Sequence, residues 1–225
     1  MFDYDEAYYI DICTLALLLH RKGLNQIYCL DYFGGEVDIS DETACKSIFD
    51  IAGEGLIGVD ENEKFYLNDA LEELCNIITS ARNVVAVYTN QQAASIIYIG
   101  EECSVVAQPA KNRKDTLKMF KISSNSIYDY IKEQKTEVAP ENEETMLFIQ
   151  SLEFLTIDDD FDEMVKSPAS AIFVDVFNIL QECSIMKCAI IHANSSEYLC
   201  TWNSDGYSIE EYENKGFFNS LGRNL

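Results

Sequence analysis

The sequence predicts an α+β fold: a winged-helix-like N-terminal block followed by antiparallel meander sheets packed with helices, in two quasi-repeated halves. Three observations carry this prediction. Apolar spacing from Asp41 to Tyr88 runs helix, glycine turn, short hairpin, helix, strand. From Val84 the period changes from helical to strand-like. The order helix, strand, tight turn, strand, turn, strand occurs after Leu74 and again after Phe177, a topological echo between halves. The expected organisation is residues 1–134 as helix, winged block and four-stranded meander, 135–144 as linker, and 145–225 as a helical pair with a smaller sheet.

Met1 to Lys22 reads as one helix with Tyr8, Ile12, Leu15, Leu18 and Leu19 on its apolar face and Gly23 at its end. Leu24 to Ile39 reads as a loop before Ser40 caps the next helix. Thr43 to Ile51 is amphipathic through Ala44, Ile48 and Ile51, and Gly53 and Gly55 stop it. Leu56 to Val59 and Phe65 to Leu67 flank an acidic turn, the pattern of a wing. Asn68 caps a helix with a stripe of Leu71, Leu74, Ile77 and Ile78.

Val84–Thr89, Ser95–Ile99, Ser104–Gln108 and Thr116–Ile122 are β-rich runs joined by turn-sized polar links, and Ser124 or Ser126 then caps a helix through Ile127, Tyr130 and Ile131. Met146–Leu155 resumes helix, Thr156–Pro168 is an acidic loop, and the apolar run Ala169–Gln181 reads as helix. Ile185–His192, Glu197–Trp202 and Tyr207–Glu211 form the second meander, and Gly216–Leu225 a closing helix.

Composition excludes several function classes. Lys+Arg 16 against Asp+Glu 39 gives a formal net charge of -23, which disfavours nucleic acid and anionic membranes. The would-be reading head carries Asp41, Glu42, Asp50, Glu54, Asp60, Glu61 and Glu63 against Lys46, so a DNA-binding winged helix lacks its attractive term. The run Ile12–Leu19 is too short to span a bilayer and follows acidic residues, unlike a signal peptide; a cytoplasmic protein is expected. The eight cysteines contain no CxxC pair, lie mostly among apolar neighbours, and are expected to be free, buried thiols.

No motif signals an enzyme, a cofactor or a metal. Gly53-Glu54-Gly55-Leu56-Ile57-Gly58 spells GxGxxG, but a helix precedes it and a hairpin follows, the reverse of a dinucleotide site. Asp158 to Glu163 fails the calcium-loop pattern at its glycine and terminal glutamate positions. His20 and His192 have no accompanying nucleophile turn, so a hydrolase is not indicated. Lys111, Arg113, Lys114, Lys118, Lys121, Lys132 and Lys135 form the basic stretch of an acidic chain, either a docking stripe for an acidic partner or a solvated strand face. A binding role remains, with Tyr88, Tyr98 and Trp202 as partner-contact candidates; ordinary packing is the competing reading, strongest for Trp202.

The order of features resembles the EspG-like chaperones of type VII (ESX) secretion systems. It is carried by a helix ending near His20-Arg21-Lys22-Gly23-Leu24, the segment Ala52-Gly53-Glu54-Gly55-Leu56-Ile57, the wing, the helix Asp69 to Leu74, and paired strands within Ser95 to Gln108. The likeness covers Tyr8 to about Ile122, and the second half only in topology. It implies a cytosolic, non-enzymatic adaptor that binds the tip of a helical-hairpin secretion substrate and keeps it soluble. The acidity and the cysteines depart from actinobacterial members, which points to a Firmicute-type relative. A winged-helix transcription regulator, or another protein-interaction domain without DNA contact, is the alternative.

Overall fold

Tyr8–Asp11 is a β-strand (β1), and the first helix (α1) runs only from Ile12 to Arg21. The structure is a computed structural model describing residues 7–24, 41–53, 55–63, 65–89, 92–113, 115–134, 171–193, 196–203 and 206–211. The single helix expected over Met1–Lys22 is thus corrected. Asp11 is extended, and its carboxylate accepts from the amides of Cys13 (2.9 Å) and Thr14 (3.2 Å), an N-cap that fixes the helix start. Tyr8 therefore belongs to the strand, while Leu15, Leu18 and Leu19 are buried on α1 as periodicity requires. Gly23, at φ 92°, takes the left-handed conformation that ends the helix.

Helix α2 spans Asp41–Gly53, strands β2 (Ile57–Val59) and β3 (Phe65–Leu67) form a hairpin, and α3 spans Asp69–Ser80. Gly55, at φ 73°, turns the chain out of α2, and the amides of Gly55 and Leu56 bond back to the carbonyls of Ala52 and Ile51. At the hairpin tip the Glu63 amide donates to the Asp60 carbonyl, and the Asn62 amide to the Asp60 carboxylate. Asn68 caps α3 by accepting from the Leu71 amide at 3.1 Å. Leu71, Leu74 and Ile78 are buried as the stripe predicts, with Ile77 half-buried.

The chain forms two compact units: Met1–Arg82 with Ser95–Asn125, and Asn83–Ala94 with Ser126–Leu225. In the first unit the strand order is β1, β7 (Thr116–Ser123), β6 (Cys103–Pro109), β5 (Gln92–Tyr98, which belongs to this unit from Ser95), with β1–β7, β7–β6 and β6–β5 antiparallel. In-register rows such as Ile97–Val106–Phe120 and Ile96–Ala107–Met119 lie on opposite faces, and both are buried. Helix α3 lies against β6, and Lys121 of β7 reaches Glu73 of α3 at 2.5 Å.

A closed hydrogen-bond circuit locks the β5–β6 turn. The Gly100 amide donates to Ser104 Oγ (3.3 Å), and Ser124 Oγ donates to the Gly100 carbonyl (2.8 Å). With its own proton so used, Ser124 Oγ accepts from Ser104 Oγ at 2.8 Å. A Cβ at Gly100 would run into the Cys103 carbonyl and crowd Ile77.

In the second unit the strand order is β4 (Asn83–Thr89), β8 (Ala171–Asn178), β9 (Cys183–Ala193), β10 (Ser196–Asn203), β11 (Gly206–Glu211), again antiparallel; helix α4 spans Ile127–Glu133. The helix expected over Ala169–Gln181 is corrected to strand β8. Ile172 to Val176 are all buried, because β8 has β4 on one side and β9 on the other and both its faces are covered. Such a strand reads as an almost continuous apolar run, here interrupted only by buried Asp175, and periodicity alone does not separate it from a buried helix. Ser126 stands at the start of α4 without a side-chain cap bond, and Ser124 serves the turn circuit instead. Ile127, Tyr130 and Ile131 are buried as expected. The expected Ser40 cap, the 135–144 linker, the Met146–Leu155 helix and the Gly216–Leu225 helix lie outside the described residues.

Replacing Gly100 by Ala should destabilise by roughly 1–3 kcal/mol, the cost of overpacking against backbone. Ser104→Ala, which opens the circuit without a clash, should cost about 1 kcal/mol. Urea melts of the two variants check both, and equal midpoints for Gly100→Ala and the unaltered chain would refute the clash.

Candidate protein-interaction surface

The residues that sequence patterns offered for chemistry have structural roles where they are described. Gly53 closes α2, Gly55 makes the turn, and Gly58 lies in β2 under the ring of Tyr66, which a Cβ there would strike. His20 is exposed in the last turn of α1 beside Arg21, where a cation suits the helix dipole. His192 pairs in register with Glu197. Among the described residues, no three His, Cys, Asp or Glu side chains are grouped to hold a metal ion. Asp158–Glu163 lies outside them.

Tyr98 is 2% exposed, within the first unit, and Tyr88 is 8% exposed on β4. Strand alternation is the sequence basis for expecting them outward; each belongs instead to a strand with both faces covered, so these rings are core. Trp202 lies on β10, paired with Lys187 on one side and Tyr207 on the other.

The basic stretch is not one stripe. Lys118 and Lys121 are three positions apart on β7 and so point to opposite faces. Lys121 ties β7 to α3, and Lys22 does the same for α1, reaching Glu72 (3.1 Å) and Asn76 (2.7 Å). On the other face the Lys118 ammonium sits 5.2 Å from the Phe120 ring centroid, and the Arg113 guanidinium 4.9 Å from that of Tyr9. Such exposed cation–π contacts contribute about 0.5–1 kcal/mol each. The side chains of Lys114, Lys132 and Lys135 lie outside the described set.

An apolar surface that periodicity did not single out lies on α2 and the hairpin. Phe49 is 77% exposed and Ile48 41%, although the sequence placed Ile48 with buried Ile51 on one packed face. Cys45, Ile48, Phe49 and Ala52 are all exposed, and their spacing of i, i+3, i+4, i+7 makes them one helix stripe. Val59 and Tyr66 on the hairpin are also more than half exposed. Fully burying a side chain such as Phe stabilises by roughly 1.5–3 kcal/mol, a contribution that Phe49 leaves largely unused within the chain. On the same helix and hairpin Glu42, Asp50, Asp60, Glu61 and Glu63 are exposed, with Lys46 as the exposed cation of α2. The surface can bind an apolar face bordered by positive charge. The sequence signal that could have found it is the second apolar stripe of α2, beside the one through Ile51.

No family model matches the chain, and no curated protein does. Among solved structures the chain is similar to the Mycobacterium tuberculosis type VII secretion system chaperone EspG5, determined in complex with a PE25-PPE41 dimer. The TM-score is 0.55 at 10% identity, over 92% of this chain and 91% of that one. The chain therefore has an EspG-like fold, α+β with extensive antiparallel sheet. No described helix is long and apolar enough to cross a membrane.

Among the described residues Cys13, Cys45, Cys75, Cys103, Cys183, Cys188 and Cys200 are free thiols. The expected burial holds for Cys13, Cys75, Cys188 and Cys200 and is corrected for Cys45 and Cys183, which are exposed on α2 and at the start of β9. Burial pushes the Cys75 thiol up to about 11, with Lys22 opposing and Glu72 reinforcing the shift, and the Cys200 thiol up to about 12. Burial also raises Cys188, helped by Cys200 and Asp175. Iodoacetamide at about pH 8 should label exposed Cys45 and Cys183 in the folded protein and spare Cys75, Cys188 and Cys200, as peptide mass spectrometry would show. Folding raises these pKa values, so their neutral-thiol contribution to stability is complete below the ordinary value of 9.0. It is lost as pH rises through about 11 and about 12, and the urea midpoint should fall on that alkaline side.

Proposed function

We propose that the protein is a cytoplasmic, non-enzymatic chaperone or adaptor that binds a helical secretion substrate of a type VII system and keeps it soluble. The observation that supports this most is the likeness of fold to a secretion chaperone over 92% of the chain. The structure of that chaperone was determined with a PE25-PPE41 dimer; for this chain the partner is taken to be a helical hairpin, in keeping with the resemblance of its sequence. An exposed apolar stripe that includes Phe49, with acidic residues on the same helix and hairpin, is in keeping with a protein-binding role. The acidity of α2 and the hairpin favours a protein over a DNA partner if the helix–hairpin–helix block is the binding element. A Firmicute-type affiliation is part of the same reading.

Co-expression tests the proposal. Helical-hairpin proteins encoded by the source genome, produced alone and with this chain, should include one whose soluble yield rises several-fold and which forms a complex of fixed stoichiometry by native mass spectrometry. If none gains solubility and none binds, the chaperone reading fails.

A further inference from the structure

We propose that the exposed stripe of α2, together with the β2–β3 hairpin, is a docking site for an amphipathic helix whose apolar face is flanked by lysine or arginine. The proposal rests on the reading of the chain as a protein-binding adaptor and specifies the chemistry of its partner.

Two features of the surface select that occupant. The first is its shape. From Cys45 to Ala52 the stripe covers two helical turns, about 10 Å, as an i, i+3, i+4, i+7 ridge. A ridge of this kind packs into the groove of another helix, with apolar side chains interdigitating on both. The hairpin starts directly where the stripe stops, held there by the Gly55 and Leu56 amides on the carbonyls of Ala52 and Ile51. Tyr66 is laid over Gly58, which keeps its ring at the surface on a β2 position that has no side chain of its own.

The second feature is charge. On the helix wheel Glu42 borders the stripe next to Phe49, and Asp50 lies further round the same flank with Lys46 between them. The hairpin tip adds Asp60, Glu61 and Glu63, all exposed. An apolar helix with acidic flanks would meet repulsion here, and one with basic flanks would meet attraction. A chain of formal net charge -23 extends the same preference to longer range.

The probes are two synthetic 18-residue helical peptides sharing one leucine stripe, the first flanked by lysine and the second by glutamate. Binding to the full chain is read by fluorescence anisotropy at low and moderate salt. The lysine peptide should bind, several-fold more weakly as salt rises, and the glutamate peptide should not. Phe49→Asp should weaken the lysine peptide at least tenfold. That variant adds negative charge, so a purely electrostatic attraction would be strengthened by it. Leu180→Asp, at a 75% exposed turn in the second unit, should leave binding unchanged. In the unaltered chain, hydrogen exchange should show the amides of Asp41–Gly53 protected by the lysine peptide, a readout that needs no variant. The proposal is overturned if the two peptides bind alike, if neither binds, or if Phe49→Asp leaves affinity unchanged. It is overturned equally if the free chain is a dimer that Phe49→Asp dissociates, since a second copy would then be the occupant. Neither peptide is a secretion substrate, so failure here leaves the co-expression result standing, and failure of co-expression leaves this one.

Discussion

Strands covered on both faces impose the constraint from which the rest of the structure follows. Val105 and Val106 in the first unit, and Ile172 to Val176 in the second, are adjacent residues on opposite faces of a strand, and all are buried. Backbone amides and carbonyls so enclosed must find partners in the ladder. Every such strand therefore has a neighbour in register, and a register slip by one residue would exchange the two faces. Charged side chains have few places left on these strands, and the acidic surplus is carried elsewhere.

What remains after those demands is a small set of polar devices at the margins of the sheets. The circuit of Gly100, Ser104 and Ser124 joins the β5–β6 turn to the end of β7, and the Asn83–Asn178 amide pair, at 2.9 Å, joins the ends of β4 and β8. Lys22 and Lys121 bridge α1 and β7 to α3, each through a pair exposed enough to contribute less than about 1 kcal/mol. These contacts orient elements that apolar burial already holds together. The surface features with energy left to offer are then the apolar ones, and among the described residues of the first unit α2 and its hairpin present Ile48, Phe49, Val59 and Tyr66 to solvent, with Tyr9 exposed on β1. A protein-binding surface of this kind gains affinity from burying apolar area, while acidic borders disfavour helices with acidic flanks.

Local signals were legible wherever a residue's own chemistry decided the outcome. Asn68 caps α3, Gly23 and Gly55 take positive φ, and the α2–hairpin–α3 order stands where the spacing put it. The boundaries of β6, β7 and β10 fall within a residue or two of their apolar alternation. The candidate site was much less legible. Tyrosines at alternating strand positions were expected outward, but Tyr88 and Tyr98 lie in strands covered twice, and alternation has no meaning for exposure there. Phe49 was not singled out, because α2 carries apolar residues on two sides and periodicity does not say which side the chain covers.

The sequence by itself determined the class of fold, most of the turns and caps, and the acidic charge, since each depends on residue type and near neighbours. Tertiary structure alone decided that Tyr8–Asp11 and Ala171–Asn178 are strands, through pairing with β7 and with β4 and β9. It also decided that Asn83–Ala94 folds with residues distant in sequence, and that Ile51 is buried while Ile48 and Phe49 are not. The physical reason is common to these cases. An apolar run states that burial is favourable, and only the partner that arrives from elsewhere in the chain determines which face is buried and in which backbone conformation.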